Sequence, residues 1–174
     1  MMNKTQKLLG AAAMLLFTAN VNAQQATATA NASATIISPI SISKTTDLNF
    51  GNLSVDATGG TVILEPSAAG TRFAAGAGGV SFPANTGIVS SASFVVSGQA
   101  NFTYDINVVN QSIQITNGTD NMTVDNFTKS VNTGLLDNLG TQTVYVGADL
   151  SVAGSQNPGI YTSSSPFTVL VNYN

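Results

Sequence analysis

Apolar residues recur with period two along most of this chain, and beyond residue 23 they never hold a 3.6-residue period over a useful length. Period two marks strands, because successive side chains of an extended backbone point to opposite faces. The longest clean run is Val144, Val146, Ala148, Leu150 and Val152. Tyr104, Ile106 and Val108 form a second set, and Ala92, Phe94 and Val96 a third. Shorter runs lie at Thr61–Leu64 after Gly59-Gly60, at Ile113 and Ile115, and at Met122 and Val124 followed by Phe127. Phe167, Val169, Val171 and Tyr173 predict a final strand. Thr35–Ser43 is rich in β-branched residues, but Pro39 interrupts it, which predicts an edge or broken strand. Leu48–Leu53 predicts a short strand bent at Gly51, and residues 68–79 a glycine-rich loop with one weak strand near Arg72-Phe73. Gly98, Asn117-Gly118 and Pro158-Gly159 punctuate the runs, and Asn-Gly is a strong tight-hairpin signal. Roughly seven to nine short strands at about 8–12-residue spacing point to an all-β, antiparallel sandwich. Immunoglobulin-like topology is the first expectation and a jelly roll the alternative.

The first 23 residues follow a different rule. Lys4 and Lys7 precede an apolar stretch, Leu8–Ala19, and Val21-Asn22-Ala23 puts compact residues where an export peptidase cuts. This predicts a signal peptide over 1–23 and a mature chain from Gln24, located in the periplasm in transit and then at the cell surface or outside. The apolar stretch is shorter than the ~20 residues a bilayer span needs, so no membrane span is expected in the mature chain. An uncleaved anchor is the alternative. The mature chain carries Lys44, Arg72 and Lys129 against eight acids, a net charge of −5. So few cations exclude a phosphate-neutralising surface, and no nucleic-acid partner is expected. Without cysteine, the exported chain must hold together by core burial and strand pairing, not by disulfides.

Gln24–Ala34 alternates strictly, with Ala26, Ala28, Ala30, Ala32 and Ala34 on one side and Thr or other polar residues on the other. The pattern fits a strand, and it equally fits a low-complexity spacer behind the signal peptide. The domain plan is therefore signal peptide 1–23, arm 24–34 and sandwich 35–174.

The chain has neither histidine nor cysteine, which removes Ser-His-Asp and Cys-His nucleophiles and the usual zinc, copper and iron ligands. Glu65 is the sole glutamate, and the closest acidic pair is Asp120 and Asp125. That pair reads as turn residues, with a calcium loop as the alternative, although the spacing is not that of an EF-hand. No catalytic, cofactor-binding or metal residue is expected, and the chain is expected not to be an enzyme. Tyr145 is out of phase with Val144 and Val146 and so should face outward, the best lone aromatic contact for a ligand or partner.

Two resemblances add to this reading. The ending PFTVLVNYN, with penultimate Tyr173, and the separate alternating arm resemble the ends of chaperone–usher pilus subunits. That resemblance implies strand addition between subunits, with Ala26, Ala28, Ala30, Ala32 and Ala34 of one chain against Phe167, Val169, Val171 and Tyr173 of another. It implies self-association or other fibre subunits as partners, with a periplasmic chaperone and an outer-membrane usher. The all-alanine arm departs from the larger apolar residues usual in that family. More closely, ATIISPISISKTTDLNFGNLSV, SASFVVSGQANFTYDI and YTSSSPFTVLVNYN resemble a bacterial secreted family known as domain of unknown function 4402, over most of residues 26–174. The leading expectation is a non-catalytic structural subunit of a surface fibre. The alternative is a monomeric secreted or surface-attached domain that binds a glycan or a protein.

The export reading predicts that intact mass of the protein from periplasm or culture medium corresponds to a chain starting at Gln24. Soluble protein retaining Met1–Ala23 would contradict it.

Overall fold

The computed structural model describes residues 24–76 and 78–174; the expected signal peptide, 1–23, lies outside the described residues. Every regular element among them is a strand. In chain order these are β1 (Ser41–Thr46), β2 (Ser54–Val55), β3 (Gly60–Leu64), β4 (Arg72–Ala75), β5 (Val80–Ser81), β6 (Ala92–Ser97) and β7 (Thr103–Val108). Then follow β8 (Ser112–Thr116), β9 (Asn121–Lys129), β10 (Thr133–Leu135), β11 (Thr141–Val152), β12 (Thr162–Ser163) and β13 (Val169–Tyr173). All pairings are antiparallel, and the fold is an antiparallel β-sandwich.

The 12-residue β11 organises the larger sheet. Val146 pairs with both Ala92 and Lys129, and Leu150 with both Val62 and Val124. β6 and β3 therefore lie end to end along one edge of β11, and β9 takes the other. β1 lies beyond β6, β4 beyond β3, and β8 and β12 beyond β9, completing a curled eight-stranded sheet. A second sheet, β10-β7-β13, covers one end of it, and the short ribbon β2-β5 adds to the other.

Burial explains why these segments pair as they do. Val96 and Val144 of the large sheet meet Tyr104 and Ile106 of β7, and Leu136 joins the same cluster. Next along the sandwich, Ala92, Phe94 and Val146 meet Val108. The far cluster joins Val62, Leu64, Val124, Ala148, Leu150 and Val152 to Phe50 and Val80. Each large apolar side chain removed from water here stabilises by roughly 1.5–3 kcal/mol. The single alternation Val144–Val152 thus reaches all three clusters.

The structure departs from the sequence pattern in four places. Leu48–Leu53 forms no strand; it makes one bridge, Asn49 to Ser90, and Gly51 sits at φ 69°. The Arg72 guanidinium takes the Phe50 carbonyl instead. The last strand begins at Val169, not at Phe167, because the Thr168 amide donates to the Asn110 side chain at 2.8 Å. Asn126, at φ 47°, interrupts the period of β9, so Val124 and Phe127 both reach the interior three residues apart. β10 carries no apolar alternation at all; its Gly134 lies against the Tyr104 ring, where a side chain would collide.

Tyr104 is wholly buried, and its hydroxyl donates to Gln142 Oε1 at 2.7 Å. Burial pushes its phenol up from 10.0 to about 12. The unfolded chain releases this proton first as pH rises, so the stability tied to neutral Tyr104 is complete below pH 10 and is lost on going through about 12. Alkaline unfolding of the parent and of Tyr104→Phe checks this. The parent should lose stability between those pH values relative to its own neutral-pH value more steeply than the variant. Parallel pH profiles would contradict the assignment.

Candidate functional site

A sandwich exposes backbone wherever a strand has a neighbour on one side only, and each such edge is a template for another chain. Most edges here are blunted. β12, β2 and β5 have two residues each and β10 three, and β4 begins with Arg72. β1 is preceded by Pro39, carries Lys44, and bulges at Thr45, whose hydroxyl is tied to Ser93. β13 is different: its five residues, Val-Leu-Val-Asn-Tyr, hold no charge, no proline and no bulge. It pairs with β7 alone. The Val109 amide bonds the Thr168 carbonyl and the Asn174 amide the Thr103 carbonyl, so even-numbered residues of this strand face β7. The N–H and C=O groups of Val169, Val171 and Tyr173 therefore point to the free edge.

The side chains of the same three residues point inward. With Ile40 and Ile42 of the β1 segment they pack over Val96, Ile106 and Val144. β1 and β13, outer strands of opposite sheets, thus meet through side chains along a seam without sharing a backbone ladder. Tyr173 closes one end of the seam. Its hydroxyl accepts from the Gln99 amide at 2.6 Å and donates to the Ser38 carbonyl at 2.8 Å. Gly98 leaves the room for it, since a Cβ there would run into the phenol. Phe167 closes the other end, against Phe127 at 4.8 Å and Phe94 at 6.4 Å between ring centres.

Beyond Phe167 the sandwich is open. A groove of about 1010 Å³ runs over the inner face of the large sheet, floored by Phe94, Ile113, Ile115, Met122, Val124 and Leu150. Its walls are residues 47–55 and 156–163, and Ile88 and Ile160 stand at its rim, 74% and 85% exposed. Two polar residues hold the walls. Arg72 bonds the Phe50 carbonyl, reaches the Thr86 carbonyl at 3.4 Å and lies 4.4 Å over the Phe82 ring. Asp120 accepts from the backbone and side-chain nitrogens of Asn157 at 3.1 and 2.7 Å, and the Tyr161 hydroxyl donates to the Asn157 carbonyl at 2.7 Å.

The residues singled out in the sequence are placed as follows. Ala26, Ala28, Ala30, Ala32 and Ala34 are all exposed, and none belongs to a strand. Phe167, Val169, Val171 and Tyr173 are half-buried and lie together along the seam. Tyr145 is half-buried on the outer face of β11. Asp120 sits at the β8–β9 turn and staples the 156–163 wall, whereas Asp125 pairs with Ser112 and Asp149 within the ladder. Among the described residues no three possible ligand side chains cluster as a metal site. The groove was missed by sequence reasoning. Its one local signal is a pair of isoleucines, Ile88 and Ile160, set in turn segments beside Gly87 and Gly159.

The family model described as Domain of unknown function (DUF4402) matches residues 40–173. The chain belongs to this family. The DUF4402 match runs from Ile40 to Tyr173 and so takes in both seam strands, Tyr173 and Phe167 at the two ends of the seam, and the groove, while the arm lies before it. No curated protein and no solved structure matches the chain.

Removing the Tyr173 hydroxyl leaves the Gln99 amide and the Ser38 carbonyl without their partner. An orphaned, partly buried polar group costs about 1–3 kcal/mol. Tyr173→Phe should therefore melt roughly 2–12 °C below the parent. An unchanged melting temperature would show that the seam is not held there.

Proposed function

We propose that this protein is a non-catalytic structural subunit of a surface fibre, exported and then assembled by strand addition. The arm Gln24–Ala34 of one chain pairs along the free edge of β13 in another. The observation that carries the reading is β13 itself. It is the longest uncharged, unbulged edge strand among the described residues, and three of its residues aim unpaired N–H and C=O groups outward while their side chains anchor the strand in the core. Main-chain hydrogen bonds of an added strand supply affinity, and alternate side chains fix its register. The arm offers a matching object, 11 residues of strict alternation that belong to no strand among the described residues. During export such an edge needs cover against uncontrolled pairing, which is the task of a periplasmic chaperone, with an outer-membrane usher ordering the assembly.

A second reading, a monomeric domain that binds a glycan or protein, draws on the open apolar groove. Sedimentation over a wide concentration range separates the two. The chain from Gln24 should form concentration-dependent oligomers. The same chain lacking residues 24–34 should remain monomeric with an unchanged melting temperature. Full-length protein that stays monomeric at high concentration, with or without a candidate chaperone, would overturn the fibre reading. So would oligomers that persist without the arm.

A further inference from the structure

An added strand must be placed in register, and the alanines of the arm look ill-suited to a groove. The seam explains them. Beneath the free edge of β13 the interior is already filled, since Val96, Tyr104, Ile106, Leu136 and Val144 are all nearly or wholly buried. Only small side chains can lie over that stretch. Past Phe167 the filling stops and the groove begins. The arm changes character at the matching point. Its inward row of even-numbered residues runs Ala26, Ala28, Ala30, Ala32, Ala34 and then, in the same phase, Ile36. Ile36 is 97% exposed, the most exposed large apolar side chain among the described residues.

Resting on the strand-addition reading above, we infer that the arm of a second copy runs antiparallel to β13 with Ala34 opposite Val169, Ala32 opposite Val171 and Ala30 opposite Tyr173. This register carries Ile36 past the seam to a place opposite Phe167, at the entrance of the apolar groove. Antiparallel direction is required, because only then does the isoleucine end of the arm meet the Phe167 end of the strand. A shift of two residues one way would press Ile36 onto the filled stretch over Val169. A shift of two the other way would set alanine at the groove entrance and leave Ile36 further out.

The contact is also head to tail. Ile36 precedes β1 at the end of the sandwich closed by Tyr173, where Phe102, Leu135 and Leu139 are exposed as well. The groove lies at the other end, with exposed Ile88 and Ile160 at its rim. Two different surfaces meeting in this way repeat without closing unless the rotation brings them round, which is the geometry of a filament.

The absence of cysteine allows a clean test. Ser33 and Leu170 become directly opposed on the outer face, and because the Leu170 amide faces β7 this is the close, non-hydrogen-bonded kind of pair, suited to a disulfide. Chains from Gln24 carrying Ser33→Cys or Leu170→Cys are mixed under mild oxidation, and Asn31→Cys and Thr35→Cys are each mixed with Leu170→Cys in parallel. The Ser33–Leu170 pair should give the disulfide-linked dimer in at least tenfold higher yield than the other two. Ile36→Ser should weaken self-association at least tenfold at an unchanged melting temperature. A dominant Asn31–Leu170 or Thr35–Leu170 link, or no effect of Ile36→Ser, overturns this register while strand addition stands. No cross-link from any arm position to Leu170, together with self-association that survives removal of residues 24–34, overturns both.

Discussion

Strand β11 is the interaction on which everything else depends. Its two edges are used almost fully, by β6 and β3 in succession on one side and by β9 on the other. Its inward residues Val144, Val146, Leu150 and Val152 enter every hydrophobic cluster of the molecule. A chain with 7% charged residues and no disulfides has little else to rely on. Surface ion pairs contribute little in any case, and the one found among the described residues, Lys44 with Asp47, is exposed.

The length of β11 also creates the functional asymmetry. The sheet built on it is longer than the small sheet that covers it. Where β7 and β13 lie over β6 and the first half of β11, the interior is closed. Over the second half, only the segments 47–55 and 156–163 and the β2-β5 ribbon stand opposite, and a groove remains. The same mismatch leaves β13 as the outermost strand of the small sheet. A free backbone edge and an unfilled apolar groove are thus two results of one cause, and Phe167 marks the boundary between them.

Much of this was legible in the sequence because the decisive strands are long enough to show a period. Val144–Val152, Tyr104–Val108 and Ala92–Val96 each gave the correct face, and the placement of Tyr104 in the core followed from its phase. The resemblance to the DUF4402 family, read from three stretches, matches the family found. What escaped is non-local. β2, β5, β10 and β12 are too short to carry a period, and Leu48–Leu53 alternates without forming a strand because Arg72 and Gly51 redirect its backbone. Arg72 looked like part of a loop strand and Asp120 like a turn residue. Their hold on the two walls of the groove depends on Phe50, Thr86 and Asn157, distant in sequence. The groove itself is a missing layer, and no local pattern encodes an absence.

The account makes its most direct claim about three backbone amides. Those of Val169, Val171 and Tyr173 face the free edge of β13, while those of Leu170 and Asn172 face β7. Residue-resolved hydrogen exchange on the dilute monomer and on the concentrated protein reads them separately. The account predicts that Val169, Val171 and Tyr173 exchange fast in the monomer and slow by at least an order of magnitude on assembly, with Leu170 and Asn172 protected throughout. Assembly that leaves the first three amides as fast as in the monomer would contradict it.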